Sequence, residues 1–276
     1  MGTEQDTSAG AAGTSTRVEG EPVTPATTET TFGEINEGSV TLPCGYVDGD
    51  GELHDIAHLR ELTGEEEDIL AAPKVAGSEK MTRILGNCLV KLGGIDNPGR
   101  KVARGLTIGD RTVLLLALRS VSLGSVYPFR VKCPSCGHGF HTGVSLDKLE
   151  ITVMSDKKLR THELTLPSGR RAVLKVMTGE DEADLEKKKG QFSKSDVLSL
   201  SIMARLKSLN GEEKISVSDV KSLTFRDRKA IRNWFQKVEG GVNTDIDVDC
   251  ESCSFEFQTV LDIGQSDFFF PKELED

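Results

Sequence analysis

Val131-Lys-Cys-Pro-Ser-Cys136 and Val248-Asp-Cys-Glu-Ser-Cys253 lie 117 residues apart, and each holds a Cys-x-x-Cys pair in the same frame. At that same spacing upstream, Leu106-Thr-Ile-Gly-Asp-Arg111 is matched by Leu223-Thr-Phe-Arg-Asp-Arg228. Further upstream, Leu59-Arg-Glu-Leu-Thr-Gly-Glu-Glu-Glu-Asp-Ile-Leu70 is echoed by Leu174-Lys-Val-Met-Thr-Gly-Glu-Asp-Glu-Ala-Asp-Leu185, and Leu42-Pro-Cys-Gly45 by Leu166-Pro-Ser-Gly169. Four matched blocks in one order point to an internal duplication. The expected layout is repeat 1 over 40–149, a connector over 150–162 and repeat 2 over 163–276.

Each repeat reads locally in the same way. Thr63-x-x-Glu66, Thr178-x-x-Asp181, Thr107-x-x-Asp110 and Thr224-x-x-Asp227 have the form of a helix N-terminus. The Thr hydroxyl accepts an unpaired first-turn N–H and the acid reaches back. Apolar side chains at helical spacing predict further helices over Glu79–Leu92 and Lys194–Leu209. That makes three helices per repeat. After the third, Phe129, Val131, Phe140 and Val144, and likewise Ile246, Val248, Phe255 and Phe257, alternate through the cysteine pair. Alternation of this kind predicts a β-hairpin with Cys-x-x-Cys near its tip. The expected fold class is α+β: a duplicated three-helix module with a zinc-ribbon-like hairpin.

Composition bounds what such a chain can do. Its 276 residues carry 34 Lys+Arg against 44 Asp+Glu, a formal charge of -10. Clustered positive charge is what grips phosphates regardless of sequence, so nucleic acid is a poor first partner. No run of apolar residues approaches the roughly 18 that a membrane span needs. The opening Met1-Gly-Thr-Glu-Gln lacks a basic and then an apolar region, so no secretory signal is expected there. Residues 1–38 hold seven acids and one base and few apolar side chains, a composition expected to stay disordered.

In a chain without a secretory signal, paired Cys-x-x-Cys motifs read more naturally as metal ligands than as disulfides. On a tight turn the two sulfurs of each pair come together, and two pairs complete a tetrahedral site. Cys133, Cys136, Cys250 and Cys253 are therefore the expected ligands of one structural Zn2+ joining the repeats, with iron, redox dithiols or plain buried thiols as alternatives. Pro134 and Gly137 suit the first turn, whereas the second has neither. His138 and His141 correspond to Phe255 and Gln258 and are not expected to bind metal; Cys44 and Cys88 read as packing residues. Asp110-Arg111 and Asp227-Arg228 read as first-turn acids with local ion pairing.

Enzyme signatures are absent: there is no Walker loop, Gly-x-Ser-x-Gly or His-Glu-x-x-His. The run Phe268-Phe269-Phe270-Pro271 cannot turn three rings to one face of a strand. It either crosses a groove between the repeats or leaves rings free to anchor a partner, which makes Phe268, Phe269 and Phe270 candidate partner-binding residues.

With these residues placed, the chain resembles the T4-type bacteriophage baseplate protein family, the assembly or hub components of contractile tails, also found in phage-tail-like contractile injection systems. The resemblance rests on Leu-Pro-Ser-Gly-x-x-x-x-Leu-x-x-x-Thr-Gly-Glu-Asp-Glu over 166–182, Leu-Thr-x-x-Asp-Arg over 223–228, Cys-x-x-Cys over 250–253 and Phe-Phe-Phe-Pro over 268–271. It covers about residues 40–271. It implies a non-enzymatic structural or assembly role beside tail tube, hub or baseplate proteins, within a larger assembly, in the cytoplasm or in a phage-like particle. The four paired cysteines are then metal ligands. The other readings are a zinc-ribbon nucleic-acid-binding regulator, which acidity weakens, and a dithiol oxidoreductase, which needs an accessible low-pKa thiolate.

Overall fold

The computed structural model describes residues 27–33, 38–189, 192–263 and 268–269, and the chain forms a mixed α+β fold. Strand β1 (Thr28–Thr31) comes first, and then the hairpin β2 (Ser39–Val47) and β3 (Leu53–Leu59), followed by α1 (Gly64–Ala71) and α2 (Gly77–Cys88). Strands β4 (Leu89–Leu92) and β5 (Ile95–Asp96) extend that hairpin into an antiparallel sheet ordered β2-β3-β4-β5. Helices α3 (Gly99–Gly105) and α4 (Ile108–Leu123) lead to the hairpin β6 (Val126–Lys132) and β7 (Gly139–Ser145), and β8 (Glu150–Val153) follows.

The chain then continues into a second set of helices and hairpins. Hairpin β9 (Thr161–Thr165) and β10 (Arg171–Lys175) is followed by α5 (Gly179–Lys189), α6 (Val197–Arg205) and β11 (Leu206–Leu209), which completes the sheet β11-β10-β9. Next come α7 (Val217–Lys221), α8 (Phe225–Val238), the short β12 (Gly241–Val242), and the hairpin β13 (Asp245–Asp249) and β14 (Glu256–Val260). Strands β1 and β12 flank β8 in a further sheet.

All four Thr-x-x-acid motifs sit at helix starts. Asp110 N donates to Thr107 Oγ1 and Asp227 N to Thr224 Oγ1, both at 3.1 Å, while Thr63 N and Thr178 N each donate to their acid at 3.0 Å. Asp110 does more than cap. In β2 the ladder is broken between Thr41 and Tyr46, around Pro43, which has no N–H to give, and Gly45, whose φ is +68°. The N–H groups freed there, of Cys44 and Gly45, donate to Asp110 Oδ1 at 2.8 and 3.1 Å. Ser168 N makes the same bond to Asp227 Oδ1 at 2.9 Å. In the first half the Leu-Pro-x-Gly segment is thus a strand bulge tied to a helix cap, whereas in the second half residues 166–169 form the β9–β10 turn, tied to its cap by the same kind of bond.

Several expectations need correction. Each half has four helices among the described residues, because α3 and α7 were not anticipated. The helices expected over Glu79–Leu92 and Lys194–Leu209 stop at Cys88 and Arg205, and their last four residues turn into strands that pair with β3 and β10. Leu89 and Leu92 are buried either way, so the burial pattern alone did not separate helix from strand. Thr28–Thr31, expected in the disordered tail, pair with Glu150–Val153, and the expected connector over 150–162 contributes β8 and the first residues of β9. The rest of 1–38, apart from 27–33 and Gly38, lies outside the described residues.

Arg111 does not pair with Asp110. It is 3% exposed and donates to Ala103 O at 2.8 Å, Thr82 Oγ1 at 3.2 Å and Ser78 O at 3.3 Å. Arg228 repeats the pattern with Val220 O and Ser199 Oγ, at 3.2 and 3.0 Å.

The main core gathers α2, α4 and the first sheet around Leu42, Ile84, Leu85, Leu114 and Leu118. Phe268 and Phe269 enter this core and are 0% and 2% exposed. The Phe268 ring meets Tyr127 at 5.1 Å between centroids, and the Arg119 guanidinium lies over both rings, at 5.6 and 4.9 Å. The expectation that these two rings are free to anchor a partner is therefore corrected: they pack inside, against the first half. Phe270 lies outside the described residues. A second core, around Leu174, Ile202, Ile231 and Trp234, belongs to the second half.

Candidate metal centre

Hairpin β6–β7 pairs from Val126↔Ser145 to Lys132↔Gly139, so Cys133-Pro-Ser-Cys136 forms its tip. Hairpin β13–β14 pairs from Asp245↔Val260 to Asp249↔Glu256, which leaves Cys250-Glu-Ser-Cys253 at the corresponding place. The turns close alike. Cys133 N donates to His138 O and Gly137 N to Cys133 O; Cys250 N donates to Phe255 O and Ser254 N to Cys250 O. Gly137 has φ +75°, and Ser254, at the same point of the second turn, has φ +54°. The second knuckle therefore adopts the left-handed conformation without a glycine.

The two tips face each other. Val131, Phe140 and Val248 pack with Cys133 and Cys250 into a small core of their own, which holds the hairpins side by side. All four sulfurs lie within 4.8 Å of one another, with Cys133 Sγ–Cys253 Sγ and Cys136 Sγ–Cys250 Sγ both at 3.7 Å. A tetrahedron of thiolates about 2.3 Å from a central zinc has edges of about 3.8 Å, so the donor set fits that ion in number, element and spacing. Cys133 and Cys250 are buried, whereas Cys136 and Cys253 reach the surface. The centre thus has an inner and an outer edge.

Its protons are unevenly held. Burial raises the Cys133 thiol, but the N–H groups of Cys136 and Ser135 and the neighbouring thiols outweigh this and bring it to about 7. The Phe255 N–H lowers Cys253, yet the Cys136 thiol, burial and the other two sulfurs push it up to about 12. Four crowded sulfurs cannot all ionise alone, and a bound cation removes that conflict by displacing the protons.

No histidine joins the group among the described residues. His138 instead meets Glu251 at 3.0 Å, an exposed contact from one knuckle to the other. The remaining cysteines are packing residues, as expected from the sequence. Both are fully buried, which raises the Cys44 thiol and pushes Cys88 up to about 12. The sequence did not reveal the inter-hairpin apolar contact, although the alternating Val131, Phe140 and Val248 that make it were visible there.

The chain matches a family described as T4 bacteriophage base plate protein over residues 52–270. No curated protein and no solved structure matches it. The matched stretch takes in both cysteine pairs and most of both halves, and the chain belongs to the T4 bacteriophage base plate protein family.

Proposed function

We propose that this chain is a non-enzymatic structural or assembly component of a contractile phage tail, or of a phage-like injection system, acting in its baseplate or hub. The family match across both halves carries this reading. Its partners are the tube, hub or baseplate subunits beside it. Deletion of the gene is expected to leave electron micrographs without complete baseplates, and normal contractile tails from the deleted strain would overturn the assignment.

The scaffold is read as two copies of one module clamped by a structural zinc. The repeated bond from a Leu-Pro-x-Gly segment to a helix-cap aspartate, the repeated arginine contacts and the repeated knuckle turns support the duplication. When bound, zinc supplies the positive charge that lets four thiolates share a site of this size. Cys133 and Cys136 would hold it from the first half, and Cys250 and Cys253 from the second. Val131, Phe140 and Val248 keep the hairpins in contact, and the knuckle N–H groups of Cys136 and Ser135 stabilise negative charge on Cys133. With all four donors occupied there is no open position for a substrate, which is the mark of a structural site.

A further inference from the structure

Inside the chain, the start of α5 is seated on the first half. Ile108 N donates to Met177 O and Gly179 N to Leu106 O, both at 3.0 Å, and Thr107 bridges to Thr178. Arg111 Nη2 meets Glu182 at 3.4 Å. Gly179 lies so close under that guanidinium that a Cβ there would stand 2.6 Å from Nη1, so the contact requires glycine. Met81, which lines one cleft with Ile108, Arg111 and Glu182, is 4% exposed.

The corresponding face of the second half is open. Leu198 takes the place of Met81 and is 62% exposed; Phe225 takes that of Ile108 and is 87% exposed. Arg228 takes that of Arg111, and no carboxylate among the described residues pairs with it. Large apolar side chains standing in solvent beside an arginine mark a surface for a partner.

The matching donor is also free. Leu62-Thr63-Gly64-Glu65-Glu66-Glu67 has the form of Met177-Thr-Gly-Glu-Asp-Glu182, and Thr63, Gly64, Glu65 and Glu67 are exposed. A Cβ on Gly64 would meet nothing within 4 Å. Among the described residues, no close approach requires glycine here. A docked arginine would require it, as Arg111 does at Gly179. Charge agrees: the exposed tip carries Glu65, Glu67 and Asp68, while α8 presents Arg226, Arg228 and Lys229.

We propose that the face formed by Leu198, Phe225 and Arg228 receives the Thr63–Asp68 tip of a second copy of this chain, so that copies associate head to tail. Glu67 then meets Arg228 as Glu182 meets Arg111. A contact of this heterologous kind closes into a ring if its rotation closes and otherwise grows as a filament. The inference uses the correspondence between the halves, but not the metal or the tail role, so it stands or fails separately from them.

Sedimentation velocity of the full chain at rising concentration tests it. The expected result is reversible association that weakens with added salt, because exposed charges are screened. Phe225→Asp removes the receiving face and Gly64→Gln blocks the tip. Both positions are exposed, and unchanged thermal melts check that each variant folds. Each variant alone should remain monomeric, and an equimolar mixture should stop at dimers, since one retains a tip and the other a face. A wild-type chain that stays monomeric to its solubility limit would overturn the proposal and leave the face to a different partner. Association that survives both substitutions, or a mixture that forms nothing, would overturn it as well.

Discussion

Ser254 shows how a single residue departs from the ordinary chemistry of its turn. Its φ of +54° is one that a side chain with a Cβ resists, and Gly137 occupies the same place in the other knuckle at +75°. Ser254→Gly should stabilise the metal-loaded protein by up to about 1 kcal/mol, after the added freedom of the unfolded chain is subtracted, and Gly137→Ala should destabilise it by a similar amount. Urea unfolding of the three proteins side by side measures both. A second residue sets an acid limit on stability. The Glu66 carboxylate is 0% exposed; burial raises it, but bonds from Arg60, Thr63 and Asn87 outweigh burial and lower it from 4.5 to about 2. The fold therefore favours its ionised form. That contribution, up to about 3 kcal/mol, is complete above about pH 4.5 and is lost as pH falls towards about 2. Urea midpoints followed down through that window should fall in the wild type, and more gently in Glu66→Gln, which is less stable at neutral pH. Parallel slopes for the two proteins would count against the assignment.

Among the elements, the C-terminal segment separates core from surface most sharply. Phe268 fills a fully buried place between Tyr127, Phe269 and Arg119. Phe268→Ala should cost about 3–5 kcal/mol. A change near zero in urea unfolding would return the ring to the surface and to partner binding. Sequence made this segment conspicuous but did not say which half would cover it, since contacts between distant segments leave no local period. The helix starts were legible because a cap is a local exchange of hydrogen bonds between residues three apart. For the same reason α7 was within reach: Ser216-x-x-Asp219 is another such cap, with Asp219 N bonded to Ser216 Oγ at 3.2 Å. The strands β4 and β11 were not, because Leu89 and Leu92, or Leu206 and Leu209, fit a helical stripe until the pairing with β3 or β10 is known. The hairpins carrying the cysteines announced themselves by alternation, and their tips by Cys-x-x-Cys.

For the whole molecule, ties between the two halves lie at separate places. Glu186 caps the start of α2, accepting from Gly77 N at 3.1 Å and Ser78 N at 3.0 Å, and Arg160 reaches back to Cys44 O at 3.1 Å. The cysteine pairs meet at another point, with 113 residues of chain lying between Cys136 and Cys250. A metal there closes a long loop, and structural zinc contributes on the order of 10 kcal/mol of apparent binding free energy in small sites, so its loss should be felt in both halves. Cys136→Ser and Cys253→Ser should each lower the melting of the entire described fold, and a calorimetric trace in which one half melts unchanged would argue that the halves are independent. On the proposed reading, one ion is held jointly by the two hairpins. Native mass spectrometry with ion mobility, before and after a strong chelator, addresses it most directly. The expected result is one zinc per chain and a larger collision cross-section once the metal is removed. A chain that carries no metal, or one ion on each cysteine pair, would contradict it.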